Sequence, residues 1–172
     1  LNRLSFNYKM NGKFMKNNVQ LITYVDRVTG AGIQSLETML NNEFKGLFSG
    51  VHLLPFYFPI DGSDAGFDPI DHTQVDSRLG TWRDIKKLGE NHEIMADLIV
   101  NHMSAQSTEF QDVLANGKQS CFWDLFLTKD KVFPLGLNAE QQEKIYRPRP
   151  GSCFTTHSLP NNDSADFWTT FT

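Results

Sequence analysis

Apolar residues along the chain form short runs, and these alternate with stretches in which the apolar residues have helical spacing. Three apolar runs, at 19–25, 50–55 and 94–100, predict strands, and the first is rich in β-branched and aromatic residues. Between them, helical spacing predicts helices over about residues 33–42 and 82–90. This order is that of right-handed βαβ units, so we expect a parallel sheet.

The long segment 56–80 shows neither a helical nor a strand period and contains many Asp, Gly and Pro residues. Its aromatic residues gain by burial, so we expect an ordered loop above the sheet and not a disordered one. Residues 1–14 are polar and irregular. We interpret them as an extension outside the fold; the alternative is an arm that packs on the domain.

The pattern after residue 102 is weaker and predicts a different kind of structure. Its elements are a short helix marked by Phe110, Val113 and Leu114, an apolar cluster at 122–127, a stiff loop at 146–151, a polar hairpin tip at 160–166 and a strand at 167–172.

Polar residues interrupt and end the third strand. Asp97 lies inside the apolar run, and Asn101 and His102 close it. A carboxylate in a buried strand is costly unless it is bonded or used, and parallel α/β folds place their chemistry at strand ends. Asp97 is either a structural carboxylate, bonded to the backbone or to a neighbouring Arg, or a functional group. His102 is either structural or functional. Asn101 is a loop cap or, through its amide oxygen, a calcium ligand.

The predicted fold class is α/β. Polar loops at the carboxyl ends of the strands are typical of a (β/α)₈ TIM barrel and of an open doubly wound sheet. A complete barrel needs about 250 residues. The 172 residues supply only about three barrel strands, followed by an insertion, so on the barrel interpretation the chain is its N-terminal part.

The composition excludes several classes of protein. A net charge of −4 gives no basic surface for nucleic acid. No stretch approaches the roughly 18 apolar residues of a membrane span, and the start lacks a signal-peptide core. Cys121 and Cys153 are more typical of free thiols in a reducing compartment than of a disulfide, so we expect a cytoplasmic protein.

Two loop segments could bind a ligand. Asp64, beside Gly66 and Phe67, suits a sugar, because a carboxylate accepts hydroxyl hydrogen bonds and a ring packs against the C–H face. Gly66 permits a backbone shape that other residues resist, so we expect it to hold Phe67 at a set angle. The alternative is a solvated turn. Arg147 and Arg149 flank Pro148 and suit a carboxylate or phosphate, unless they only form structural ion pairs.

The five histidines show no paired metal-binding spacing. A metal site on a barrel face built from Asp71, His72, Asp97 and His102 can be imagined, but no motif supports it. We therefore predict no metal and no other cofactor.

Several segments together match one family. Asp97-Leu98-Ile99-Val100-Asn101-His102 is similar to the first signature region of the α-amylase superfamily, D-x-x-x-N-H. That pattern is short and only moderately specific. The choice of family within the superfamily is narrowed by longer segments at 19–27, 50–56, 61–72 and 145–151. With them the chain resembles the sucrose phosphorylases and their close relatives, over residues 15–172.

The resemblance implies an architecture and a set of site residues. Residues 15–102 are the first βα units of the catalytic barrel, and 103–172 are most of the small B domain inserted after the third strand. Asp97 supports the strand end, and Asn101 is a structural amide. The implied substrate-binding residues are Asp64 and His102 for the glucosyl hydroxyls, Phe67 and Phe171 as aromatic walls, and Tyr146 and Arg149 on an acceptor loop.

The resemblance also implies a reaction. A retaining double displacement through a covalent glucosyl-enzyme converts sucrose and phosphate to α-glucose 1-phosphate and fructose. By the family pattern, the nucleophilic Asp and the acid/base Glu lie beyond Thr172, so we expect the chain alone to be inactive. No nucleic acid or membrane partner is expected, and a homodimer of the full-length protein is left open.

One departure from the family pattern leaves alternatives open. Ser152-Cys153 stands where related sequences commonly have Leu-Pro, close to the acceptor loop. The alternatives are a phosphorylase of sucrose 6′-phosphate or glucosylglycerate, an amylase-type α-glucosidase and a non-catalytic sugar-binding module.

Overall fold

The parallel sheet predicted from the apolar runs is present in a computed structural model of the chain, which describes residues 9–10, 13–14, 19–60, 65–147 and 151–170. The chain separates into two units, Leu1–Ile99 and Val100–Thr172, each with its own core. The division falls after Ile99, whereas the predicted boundary between barrel and insertion falls after His102. The assignment of the units to barrel and B domain stays a prediction.

The first unit is built on three parallel strands in the order β3-β4-β7. The parallel pairing is that of the predicted α/β fold. The elements of the unit are β1 (Lys9–Met10), β2 (Lys13–Phe14), β3 (Gln20–Thr23), α1 (Val25–Thr29), α2 (Ile33–Asn41), β4 (Gly50–Leu53), β5 (Tyr57–Phe58), β6 (Asp71–Val75), α3 (Trp82–Leu88) and β7 (Glu93–Ala96).

The two faces of the sheet have different environments. Val51 is fully buried, and its register partners Leu21 and Ile94 pack against the same core, which also contains residues of α2 and α3. The next register row, through His52, has exposed apolar residues on either side. In a closed barrel a row of this kind faces the interior.

The third strand is shorter than predicted. It ends at Ala96 and not at Val100, so Asp97 follows the strand and does not interrupt it. Leu98 is 83% exposed and Val100 is 77% exposed, so the prediction of a run covered on both faces is wrong for this part of the chain. The physical reason is that β4 ends at Leu53 and Pro55 has no N–H to extend the ladder.

The helices are close to their predicted positions, with one addition. α2 and α3 begin at the predicted residues, and Thr81 forms a capping box with Asp84 at the start of α3. The addition is α1, which occupies the end of the predicted first strand. Val25 is buried in the core, and Gly30, with φ of 70°, ends the helix in a left-handed conformation.

The segment 56–80 contains an antiparallel pair of strands, β5 and β6, that the sequence pattern did not predict. Asp76, directly after β6, is only 1% exposed. Its carboxylate accepts hydrogen bonds from the backbone N–H of Ile60 at 3.0 Å and from Arg78 at 2.7 to 3.0 Å. The Arg78 guanidinium, above all, holds the pKa of Asp76 at about 2. One buried carboxylate thus joins distant parts of the segment.

The second unit packs one helix against one hairpin. Its elements are α4 (Thr108–Asn116), α5 (Lys129–Val132), α6 (Ala139–Glu143), β8 (Phe154–Ser158), β9 (Ser164–Trp168) and 3₁₀ turns at Gly117–Gln119, Trp123–Leu125 and Pro160–Asn162.

Aromatic residues form the core of this unit. Phe110 and Val113 of α4 pack with Phe167 of β9. The last strand, predicted over 167–172, lies earlier: β9 begins at Ser164, inside the predicted polar tip, ends at Trp168 and pairs with β8. None of the helices in the described ranges is long and apolar enough to cross a bilayer.

Replacing Asp76 with Asn should lower the free energy of unfolding of the full-length protein by about 2 kcal/mol, because an amide cannot serve all the donors that the buried carboxylate satisfies. Denaturant titration measures the change. Asp130→Asn, the same substitution at an exposed residue of α5, should change the free energy by less than about 0.5 kcal/mol. Equal stability of the wild type and the Asp76 variant would contradict the proposed anchoring.

The same carboxylate should make stability depend on pH. The folded-state pKa, at about 2, lies below the ordinary value of 3.8, so the stabilisation is complete above the ordinary value and is lost as the pH falls towards 2. Between about pH 4.5 and pH 2, the wild type should lose about 2 kcal/mol that the Asp76→Asn variant does not lose. Titrations of both proteins at the two pH values give this difference, and identical losses would be evidence against it.

Candidate active site

The six predicted substrate-binding residues are unevenly described. Phe67 belongs to the first unit, and His102 and Tyr146 belong to the second. Three lie outside the described residues: Asp64, Arg149 and Phe171. All six assignments stay predictions, and each unit is considered by itself.

Asp97 is held at two points, just beyond the carboxyl end of β7. Its Oδ2 lies 3.2 Å from Nε2 of His52, and its backbone carbonyl accepts a hydrogen bond of 3.1 Å from the Tyr57 hydroxyl. An ionised carboxylate only accepts hydrogen bonds, so Nε2 of His52 carries a proton in this contact. The partner is a histidine, whereas the sequence suggested an arginine or a backbone group.

Aromatic rings surround Tyr57. Its ring centroid lies 4.6 Å from that of Phe56, 6.0 Å from that of His72 and 6.4 Å from that of Trp82. Burial and, to a lesser extent, the Asp97 carboxylate raise the pKa of Tyr57 above its ordinary value of 10.0. The hydroxyl therefore stays protonated at neutral pH and remains a hydrogen-bond donor.

Gly66 lets the loop that carries Phe67 approach the end of β4. Its φ is 85°, and a Cβ placed on it would lie 3.1 Å from the carbonyl oxygen of Pro55. A side chain at this position would meet both backbone strain and crowding. The positive φ of Gly66 confirms the special backbone shape predicted for this residue. Phe67, the next residue, is partly buried against the first core.

Sequence reasoning did not select His52 or Tyr57, and it considered His72 beside Asp97 only as part of a metal set. His52 pairs with Met95, so the alternation of side chains places it on the same face as Asp97, but only the register shows this pairing. His72 is partly buried, and its Nε2 has no hydrogen-bond partner among the described residues. These side chains make the edge of the sheet more polar than the motifs alone indicate.

Asn101 and His102 lie at the start of the second unit. Asn101 is exposed, and His102 is partly buried. The side chain of Asn101 is therefore accessible to solvent, which does not distinguish a loop cap from a calcium ligand.

Of the two arginines predicted to face an anion, Arg147 is among the described residues and Arg149 is not. The Arg147 guanidinium donates hydrogen bonds to the backbone carbonyl of Ser152 and, at 3.3 Å, to that of Thr170. Two of its nitrogens are therefore engaged within the second unit, by backbone carbonyls and not by the ion pairs that the alternative from sequence named. Tyr146 beside it is 87% exposed.

No group of three or more His, Cys, Asp or Glu side chains in the described part of the chain is arranged to hold a metal ion. In the metal set considered from sequence, Asp71 accepts hydrogen bonds from Thr73 and Gln74. The bonds from Thr73 have the largest effect in lowering the pKa of Asp71. The expectation that no metal is needed stays a prediction.

Known proteins with similar sequences are phosphorylases of glucosides. The chain is 55% identical over 158 residues to a sucrose phosphorylase of Agrobacterium vitis. The matched region covers 92% of this chain and 32% of that protein. A sucrose phosphorylase of Bifidobacterium adolescentis is 52% identical, with 92% and 31% covered. The chain thus spans about a third of the length of these relatives.

Solved structures show the same fold. A sucrose 6F-phosphate phosphorylase from Thermoanaerobacter thermosaccharolyticum superposes with a TM-score of 0.82 at 40% identity, over 91% of this chain and 32% of that one. A trehalose-6-phosphate hydrolase of Bacillus licheniformis, at 18% identity and a TM-score of 0.69, shares the fold over 90% of this chain and 28% of its own. Residues 45–166 match the model of the α-amylase catalytic domain. The chain therefore belongs to the α-amylase family of catalytic domains and contributes part of its (β/α)₈ barrel.

Proposed function

We propose that the full-length protein to which this chain belongs is a retaining glucosyl-transferring phosphorylase that converts sucrose and phosphate to α-glucose 1-phosphate and fructose. The identity of 55% and 52% to two sucrose phosphorylases, over 92% of the chain, carries this proposal. Because the chain spans about a third of those relatives, the activity is proposed for the whole protein.

On the donor side, Asp64 and His102 bind the hydroxyl groups of the glucosyl unit. A carboxylate accepts hydrogen bonds from hydroxyls, and an imidazole can donate or accept one. Phe67 and Phe171 provide apolar surfaces for the C–H faces of the sugar. The backbone shape of Gly66 supports this role for Phe67, because it brings the loop against Pro55 at the carboxyl end of β4.

On the acceptor side, Tyr146 and Arg149 meet fructose or phosphate. A guanidinium binds phosphate through paired, charge-assisted hydrogen bonds. The engagement of Arg147 with two backbone carbonyls supports Arg149 as the arginine that binds the anion.

The reaction requires two carboxyl groups that the family pattern assigns to later strands. An Asp attacks the anomeric carbon and a Glu protonates the fructose oxygen, so that the glycosidic bond breaks and a glucosyl-enzyme forms. Phosphate oxygen then attacks the same carbon, and the Asp leaves. Asp26, Asp64, Asp97 and Glu93 have no part in these two steps.

A sister activity is the second candidate. The chain is 41% identical to a sucrose 6(F)-phosphate phosphorylase of Thermoanaerobacterium thermosaccharolyticum, over 91% of its own length. The departure at Ser152-Cys153 lies beside the acceptor loop, so the acceptor is where the two candidates differ. A cytoplasmic location, expected from the cysteines, remains part of the proposal.

The full-length protein incubated with sucrose should form glucose 1-phosphate and fructose in equal amounts, and only when phosphate is present. Phosphate is the second substrate in the proposed mechanism, so the glucosyl-enzyme accumulates without it. Chromatography of the products with and without phosphate tests this.

Glucose release at a rate independent of phosphate would instead identify a hydrolase, and turnover of sucrose 6′-phosphate alone would identify the sister activity. The isolated 172-residue chain serves as the control and should be inactive, because the catalytic carboxylates lie elsewhere. Sucrose phosphorolysis by the isolated chain would show that this placement is wrong.

Replacing Arg149 with Gln in the full-length protein should raise the KM for phosphate about tenfold or more and change the KM for sucrose much less, because only the anion loses a charge-assisted bond. Steady-state kinetics with each substrate varied in turn separate the two constants. Arg83→Gln, at an exposed arginine of α3, is the matched control. An unchanged KM for phosphate would remove Arg149 from the acceptor site.

A further inference from the structure

His52 stands in a row of the sheet that is otherwise apolar. The parallel register places Ile22, His52 and Met95 side by side, on the face opposite to Val51 and the core. Ile22 and Met95 are exposed on this face. An imidazole between two apolar neighbours on a strand indicates a specific partner, and Asp97 is that partner.

The contacts of His52 and Tyr57 hold Asp97 by two different groups. His52 bonds the carboxylate at 3.2 Å, and Tyr57 bonds the backbone carbonyl at 3.1 Å. The side chains of His52 and Asp97 are both largely shielded from water, which strengthens the contact. Fixing the carbonyl in addition to the side chain also fixes the orientation of the peptide that follows.

The chain beyond Asp97 is anchored once more before it leaves the first unit. Ile99 is buried in the core, whereas Leu98 and Val100 are exposed. Anchors at Asp97 and Ile99 therefore define the path of the segment up to three residues before His102. Of these anchors, only Ile99 is apolar and could be recognised as part of the core from its side chain.

We propose that His52 and Tyr57 are positioning residues: acting through Asp97, they fix the strand exit that leads along the chain to His102 and so support sugar binding by His102. The inference rests on the proposed function in assigning a sugar to His102. The contacts that hold Asp97 do not depend on that assignment.

A matched pair of substitutions separates positioning from general support of the fold. His52→Leu removes the donor, whereas His52→Gln keeps an N–H at about the same reach as Nε2. In the full-length protein, His52→Leu should lower kcat/KM for sucrose about tenfold or more, and His52→Gln should recover most of the loss. The KM for phosphate should stay within about twofold in both variants, because acceptor binding does not use His102.

A double-mutant cycle with His102→Ala gives the decisive measurement. If His52 acts by placing His102, then His52→Leu should lower kcat/KM for sucrose by less than about twofold once His102 is already Ala. Equal losses in the two backgrounds, or no loss in the first, would overturn the proposal. If His52→Leu does not fold, as judged by thermal unfolding, Tyr57→Phe replaces it in the same cycle, since it deletes only the hydroxyl.

The same double-mutant cycle can also be carried out by measuring glucose affinity in place of catalytic activity. Titration calorimetry with glucose as the probe gives a dissociation constant for each variant, and the same non-additivity is expected. A wild-type enzyme that binds glucose but does not phosphorolyse sucrose would contradict the proposed function, and the cycle on glucose affinity would still decide the role of His52. Additive effects on glucose affinity would count against the positioning role.

Discussion

The parallel register of β3, β4 and β7 is the constraint on which the candidate site depends. It sets Val51 opposite Ile94 on the face that packs on the helices and His52 opposite Met95 on the other face. A shift of one residue would turn His52 towards the apolar core and away from Asp97. The strand pairing that selects the core residues therefore also selects the polar edge.

The long connection between β4 and α3 depends on polar contacts, because it has no hydrophobic period of its own. The Asp76 carboxylate accepts a hydrogen bond from the backbone N–H of Ile60. The backbone N–H of Asp76 donates a hydrogen bond of 2.9 Å to the carbonyl of Phe56. The capping box of Thr81 and Asp84 then fixes the start of the next helix. Strands β5 and β6 pair between these fixed points, and the loop with Phe67 is part of the same connection.

The order of strands and helices could be predicted from the sequence because the period of apolar residues is a local signal. The end of β7 could not be predicted, because it is set by where β4 stops. The pairing of β5 with β6 could not be predicted either, because it joins residues far apart along the chain. The backbone conformation of Gly66 could be predicted from the sequence, because glycine beside an aromatic residue in a loop is itself a signal. The contact between His52 and Asp97 could not be predicted, because it depends on the register of the strand pairing.

The buried residues of the first core, among those the structure describes, lie between Val25 and Ile99, with Leu21 packed against them. Chains fold domain by domain as they are synthesised, N-terminal parts first. A nascent chain can bury this core once Ile99 has left the ribosome. Ile22 and Met95 remain exposed on the other face of the sheet, and an exposed apolar row of this kind on an incomplete chain is a surface that chaperones protect.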